Sequence, residues 1–219
     1  MNSQSKEPTR RDFLKHRALG GLGALIGDSL LKVSFAATKD RITLLSSVGL
    51  DTLHPYAYTS GPQYGIWLHM IEPLVEVDYA KKQYRGVLAE SWEFQGTRWV
   101  FRLRKGVRFH DGTPFTAKDV IHSINRIKND KQSLQKENFR DLTEMQAPDD
   151  HTVVFTTEIP NAVFLDRLDN RFMISKAAAD KHGDQADQYP LGTGPDKFVS
   201  WQRDGSLVMV LVRACGGGT

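Results

Sequence analysis

Few groupings in this sequence have residue types and spacings that could do chemistry. His110-Asp111 sets an imidazole beside a carboxylate, a start on a metal-hydrolase site, but one adjacent pair lacks the further ligands a metal needs. Gly21-Leu22-Gly23 with Gly27 has the outline of a dinucleotide-binding loop, yet no strand precedes it and no βαβ unit surrounds it. Cys215 is the single cysteine, so it has no internal disulfide partner and no Cys/His cluster with metal spacing. No Ser/His/Asp or Cys/His arrangement stands out, and there is no phosphate loop. No catalytic residue, metal ligand or cofactor is expected.

Composition bounds what remains. With 219 residues, 40% of them hydrophobic and 25% charged, the chain can bury a real core and has no disordered profile. Its formal charge of +3 is confined to one end. Residues 1–36 hold six Lys/Arg and three Asp/Glu, and the remainder balances 23 basic against 23 acidic residues. Nothing demands the basic patch that a nucleic-acid binder uses to release counterions from phosphates.

That basic end has the form of an address. Thr9-Arg10-Arg11-Asp12-Phe13-Leu14-Lys15 is followed by a weakly apolar run, Ala18 to Leu31, and by Ser34-Phe35-Ala36 with small residues at the −3 and −1 positions of a cleavable bond. Basic, apolar and small segments in that order define a secretory signal. The paired arginines with Phe13-Leu14 closely resemble the twin-arginine translocation signal. The run is shorter than the ~20 residues that cross a bilayer as a helix. Gly20, Gly21, Gly23 and Gly27 argue against a structural helix, at up to ~1 kcal/mol each relative to alanine.

The elements that follow alternate in type. Arg41 to Leu45 reads as a short strand entering a loop from Ser46 to Gln63. Tyr64 to Val77 places Ile66, Trp67, Met70, Ile71, Leu74 and Val75 mostly at helical spacing, with Pro73 ending or bending that helix. Arg98 to Arg104 has period two: Trp99, Phe101 and Leu103 share one face, and Arg98, Arg102 and Arg104 the other with Val100. A solvated sheet face explains those arginines better than an anion site does. Lys105-Gly106 turns the chain into a second short strand, Val107 to Phe109, and His110-Asp111-Gly112 turns it again.

Thr116 to Asp119 has capping-box spacing. Behind it Val120, Ile121, Ile124 and Ile127 form a helical stripe. Asp149-Asp150 precedes a strand over Thr152 to Thr156. Asn161 to Leu168 and Ser175 to His182 read as helices, the second capped by Gly183. Gly192-Thr193-Gly194-Pro195 breaks the chain before a strand around Lys197 to Trp201. Interleaved strands and helices without a repeat make this an α/β or mixed α+β chain.

Three ordered runs carry a resemblance: Leu88-Ala89-Glu90-Ser91-Trp92-Glu93, then Trp99 through Gly112, then Pro114 through Val120. Ser123, Arg126 and Gly192-Thr193-Gly194-Pro195 with Lys197-Phe198 extend it. Over about residues 41–206 the chain resembles the extracellular solute-binding proteins of family 5, which feed peptides, nickel and related solutes to ABC importers. Each run also has a plain reading as framework: a core around Ala89 to Trp92 and the Trp99 face, and a turn joining strand to helix.

The resemblance implies a periplasmic binding protein-like type II fold, of which this chain is the N-terminal portion, with an extra domain. The divisions it implies are residues 1–36 as signal peptide, 37–78 as the first segment of the ligand-binding lobe and 79–185 as the inserted family domain. Residues 186–207 return to the lobe, and 208–219 form a divergent tail. It also implies capture of a small solute, a peptide above all, and delivery to an ABC permease by a periplasmic monomer with no enzymatic activity. An exported twin-arginine-dependent redox or hydrolytic enzyme is the alternative.

In dipeptide-binding members a short loop after the first strand lines the cleft, and Tyr58, Thr59, Ser60 and Gly61 occupy the matching place. Two hydroxyls and a glycine that admits backbone N–H groups suit a peptide backbone or a carboxylate. An ordinary surface turn accounts for the same residues. Arg171 sits near the place of an arginine that reads an anionic chelator in some nickel-binding members, and reads here as a plain surface arginine.

The family pattern further implies a chain more than twice as long, an aromatic residue where Asp196 stands, and a different sequence after Leu207. A frameshift or truncated reading frame shortly after Leu207 is expected. Without the second lobe, a hinge-closing binder would have no opposite wall for its ligand.

Overall fold

The computed structural model describes residues 50–58, 61–203 and 205–212. The signal-like segment, the expected strand over Arg41 to Leu45, and Thr59 and Ser60 lie outside the described residues. Helix α1 spans Gly61–Leu68, strand β1 Val75–Asp78 and β2 Gln83–Gly86. Strands β3 (Ala89–Gln95) and β4 (Arg98–Leu103) follow, then helix α2 (Ala117–Asn129), β5 (Leu142–Asp149) and β6 (Thr152–Thr157). Short helices α3 (Phe164–Leu168) and α4 (Lys176–His182) precede β7 (Asp196–Trp201) and β8 (Leu207–Leu211).

An antiparallel sheet in the order β3-β4-β6-β5 forms the centre. β4 is the strand that the alternation predicts. Trp99, Phe101 and Leu103 are buried while Arg98 and Arg102 are exposed. Phe101 meets Phe155 of β6 edge to face at 5.6 Å, and the Trp99 indole donates to the Asn161 carbonyl at 2.9 Å. Helix α2 covers this sheet with Val120, Ile124 and Ile127.

The start of α2 is fixed as its spacing requires. The Asp119 carboxylate accepts the Thr116 amide at 2.8 Å and the Thr116 hydroxyl at 3.0 Å, which satisfies a donor the helix itself leaves open. Its other oxygen accepts the Lys176 amide at the start of α4. Ser123 Oγ accepts the Ile174 amide at 2.9 Å. One helix thus anchors the run from Ile174 to Lys176.

The segment from Tyr64 to Val77 differs from its helical expectation. The helix lies earlier and is shorter, and Val75–Asp78 pairs with Gln83–Gly86 as a strand. Two causes act together. Pro73 pushes Glu72 out of helical geometry, and the chain beyond α1 is held by others: Gly194 N–H donates to the Met70 carbonyl at 2.9 Å and Asp196 N–H to His69 at 2.8 Å. Gly192 and Gly194 permit that approach, since a Cβ on Gly192 would lie 2.1 Å from the Met70 oxygen.

Val107 to Phe109 is not a strand either. It makes a single bridge, Arg108 with Pro114, and proline has no N–H with which to extend a ladder. The third departure is α3, which starts at Phe164 because the Asn161 side chain takes the Val163 amide (3.2 Å) in a local turn. At the other end, Gly183 closes α4 at φ +53, as expected. Residues Leu207–Leu211, mostly within the segment expected to diverge, pair antiparallel with β7.

Candidate functional site

The segment from Asp51 to Tyr58 runs in without regular structure and ends against an aromatic cluster. Tyr58 lies 5.8 Å from Phe172 and 6.2 Å from Tyr64, and Tyr64 stacks on Phe172 at 5.4 Å. The Tyr58 hydroxyl donates to the Asn170 carbonyl at 2.7 Å. Burial pushes its phenol above the usual tyrosine range, although Arg171 and Gln135 both lie close enough to pull the other way. Tyr58 is therefore a neutral donor at physiological pH.

Two polar side chains from distant parts of the chain, Gln135 and Arg171, come close to that hydroxyl. Gln135, only 7% exposed, has its Oε1 buried without a hydrogen-bond partner among the described residues. Arg171 spends Nη1 on the Asn170 carbonyl at 3.2 Å, while its Nε is buried and unpartnered among the described residues. A buried amide oxygen and a buried guanidinium N–H are costly to leave unmade, on the order of 1–3 kcal/mol each. Both residues lie close to Tyr58, one with an acceptor and the other with a donor still open. Asn170 itself sits at φ +64, a conformation that asparagine tolerates better than most residues.

Of the four residues singled out in the sequence, Tyr58 lies at this corner. Gly61 opens α1, is exposed, and has nothing within 4 Å of where a Cβ would stand. Thr59 and Ser60 connect the two. Arg171 departs from its reading as a surface residue, because it is half-buried with a buried Nε. Gln135 drew no notice, and no local pattern marks it.

A separate cavity of about 30 Å³, lined by Leu53, Pro55, Trp67, Arg126, Asp187 and Leu191 among others, has room for about two waters and not for a solute. The remaining tempting pair is architectural. His110 Nε2 donates to the Gly194 carbonyl at 2.8 Å, and burial lowers the affinity of this imidazole for a second proton. Asp111 takes the Thr113 amide and hydroxyl in a local turn.

Comparison with known proteins identifies the family. The sequence model of bacterial extracellular solute-binding proteins, family 5 Middle, matches residues 83–213. The chain is 31% identical over 194 residues to the glutathione-binding protein GsiB of Escherichia coli K12, covering 86% of this chain and 37% of that protein. It superposes on the periplasmic binding protein DppA of Helicobacter pylori in complex with the peptide STSA with a TM-score of 0.66 and 29% identity, covering 76% of this chain and 38% of the other. The binding protein AgaA of A. tumefacien R10, in complex with agropinic acid, gives a TM-score of 0.66 at 27% identity, covering 72% and 33%.

The chain therefore spans a little over a third of the curated relatives it matches, and its mixed α/β architecture matches about a third of periplasmic binding proteins of the type II fold. Family members are substrate-binding proteins and not enzymes. The chain belongs to the bacterial extracellular solute-binding proteins of family 5.

Proposed function

We propose that this protein captures a small polar solute, a peptide or peptide-like acid, and delivers it to the permease of an ABC importer. The observation that carries this reading is the pair of unspent buried groups beside Tyr58, Gln135 Oε1 and Arg171 Nε. A carboxylate accepting from Arg171, with an adjacent N–H donating to Gln135, would satisfy both at once. Gly61, exposed at the start of α1, leaves its backbone accessible to such a solute. The relatives fit the chemistry, since they are described with glutathione, a peptide and agropinic acid.

Export by the twin-arginine route and action in the periplasm as a monomer complete the proposal. The Arg10-Arg11-Asp12-Phe13-Leu14 run supports the route, and the periplasmic relatives support the compartment.

A thermal-shift screen against a tetrapeptide, glutathione, an opine acid and a nickel–histidine chelate tests this, since a ligand of the native state raises its melting temperature. Thr59→Ala with Ser60→Ala should reduce the shift without altering the unliganded Tm. An undiminished shift removes those two residues from the site.

A further inference from the structure

The segment that leads into the corner is held from behind by a partly buried polar cluster centred on a buried histidine. His54 is 1% exposed. Its Nε2 lies 2.9 Å from Asp130 Oδ2, and its Nδ1 accepts the Tyr56 amide at 3.1 Å. Arg126 of α2 donates Nε to the same Asp130 oxygen at 3.2 Å and Nη2 to Asp187 at 2.5 Å. Asp187 Oδ2 stands 4.0 Å from His54 Nε2. Tyr56 donates its hydroxyl to the Phe172 carbonyl and accepts the Leu134 amide at its own carbonyl. The chain between His54 and Tyr58 is thus strung between this cluster and the Asn170-Arg171-Phe172 run.

The hydrogen bonds fix the state of the ring. An acceptor at Nδ1 and a donor at Nε2 match the neutral imidazole alone. A second proton would set Nδ1–H against the Tyr56 N–H, one buried donor facing another. The charged groups that face the ring are Asp130, Asp187 and Arg126, and the buried Tyr56 phenol is neutral.

We propose that His54 is a positioning residue: its neutral imidazole latches residues 54–58 to α2, and its protonation releases Tyr58. The consequence for capture rests on the solute-binding reading, but the latch is measured without any solute.

The test follows the whole chain by NMR. At about pH 7.5 the ring nitrogens should report the Nε2–H tautomer. From about pH 7.5 to about pH 5, protection of the Tyr56 amide against hydrogen exchange should fall about tenfold after correction for intrinsic rates, with β4 amides unaffected. His54→Gln also supplies one donor and one acceptor, so it should keep Tyr56 protected at both pH values. His54→Ala should leave it unprotected throughout. A pH-independent Tyr56 in the wild type, the same pH profile in His54→Gln, or an Nδ1–H ring at the higher pH would each overturn the latch. Tetrapeptide binding is measured separately, and its absence at every pH would count against the solute reading while leaving the exchange result intact.

Discussion

The His69 imidazole and the Asp196 carboxylate meet at 2.8 Å, joining the chain beyond α1 to the first residue of β7 across 127 positions of sequence. This gives Asp196 a physical reason at a place where the family pattern has an aromatic residue. The Asp196 amide donates to the His69 carbonyl in the same contact, so side chain and backbone together dock β7.

Asp196→Asn should retain most of this link, because the amide oxygen still accepts from Nδ1. Asp196→Ala should cost about 1 kcal/mol, the net worth of one such bond, discounted because the His69 side chain is 37% exposed. Urea titration of the two variants checks the order, and equal losses would show that the backbone bonds alone do the docking.

Gly192→Ala should be far worse. The added methyl would meet the Met70 oxygen at 2.1 Å and Ile71 Cγ1 at 2.7 Å, so β7 must separate from the α1 turn or the backbone must shift, at a cost above ~3 kcal/mol. Gly61→Ala meets nothing and should leave the melting temperature within about a degree. Thermal unfolding of the pair tests this, and a mild Gly192→Ala would mean the contact is looser than the packing indicates.

Acid should weaken the cluster behind the corner through Asp130. Partial burial pushes its carboxyl up, but hydrogen bonds from His54, the Gln132 amide and Arg126 outweigh this and hold it at about 2. A depressed carboxyl stabilises the fold fully above its unfolded value of ~3.9 and loses that contribution as pH falls through the folded value. The part of the wild-type advantage over Asp130→Asn that comes from this carboxyl should therefore be full above about pH 4 and shrink between about pH 4 and about pH 2. Unfolding free energies at a series of pH values would show it, and a flat difference would contradict the assignment.

Local pattern was readable where it determined structure. Alternation over Arg98 to Leu103 gave β4 and its buried face, and the Thr116–Asp119 spacing marked the start of α2. The reading failed where distant residues decide. Helical spacing past Leu68 gave way because Gly194 and Asp196 take the carbonyls there, and Val107 to Phe109 lost its ladder to Pro114. At the site, Tyr58 was legible through its loop. Gln135 and Arg171 were not, because their burial depends on contacts 77 and 113 residues from Tyr58, and no short-range period reports those.

In the proposed function, Gln135 and Arg171 read a polar solute beside Tyr58. Titration calorimetry with a tetrapeptide, on wild type and on the Gln135→Leu, Arg171→Met double variant, tests it most directly. Losing charge-assisted hydrogen bonds worth about 1.5–3 kcal/mol should weaken binding roughly ten- to a hundredfold, with the unliganded Tm unchanged or raised now that neither Gln135 Oε1 nor Arg171 Nε is left unpaired. Equal affinity in the two proteins would contradict it.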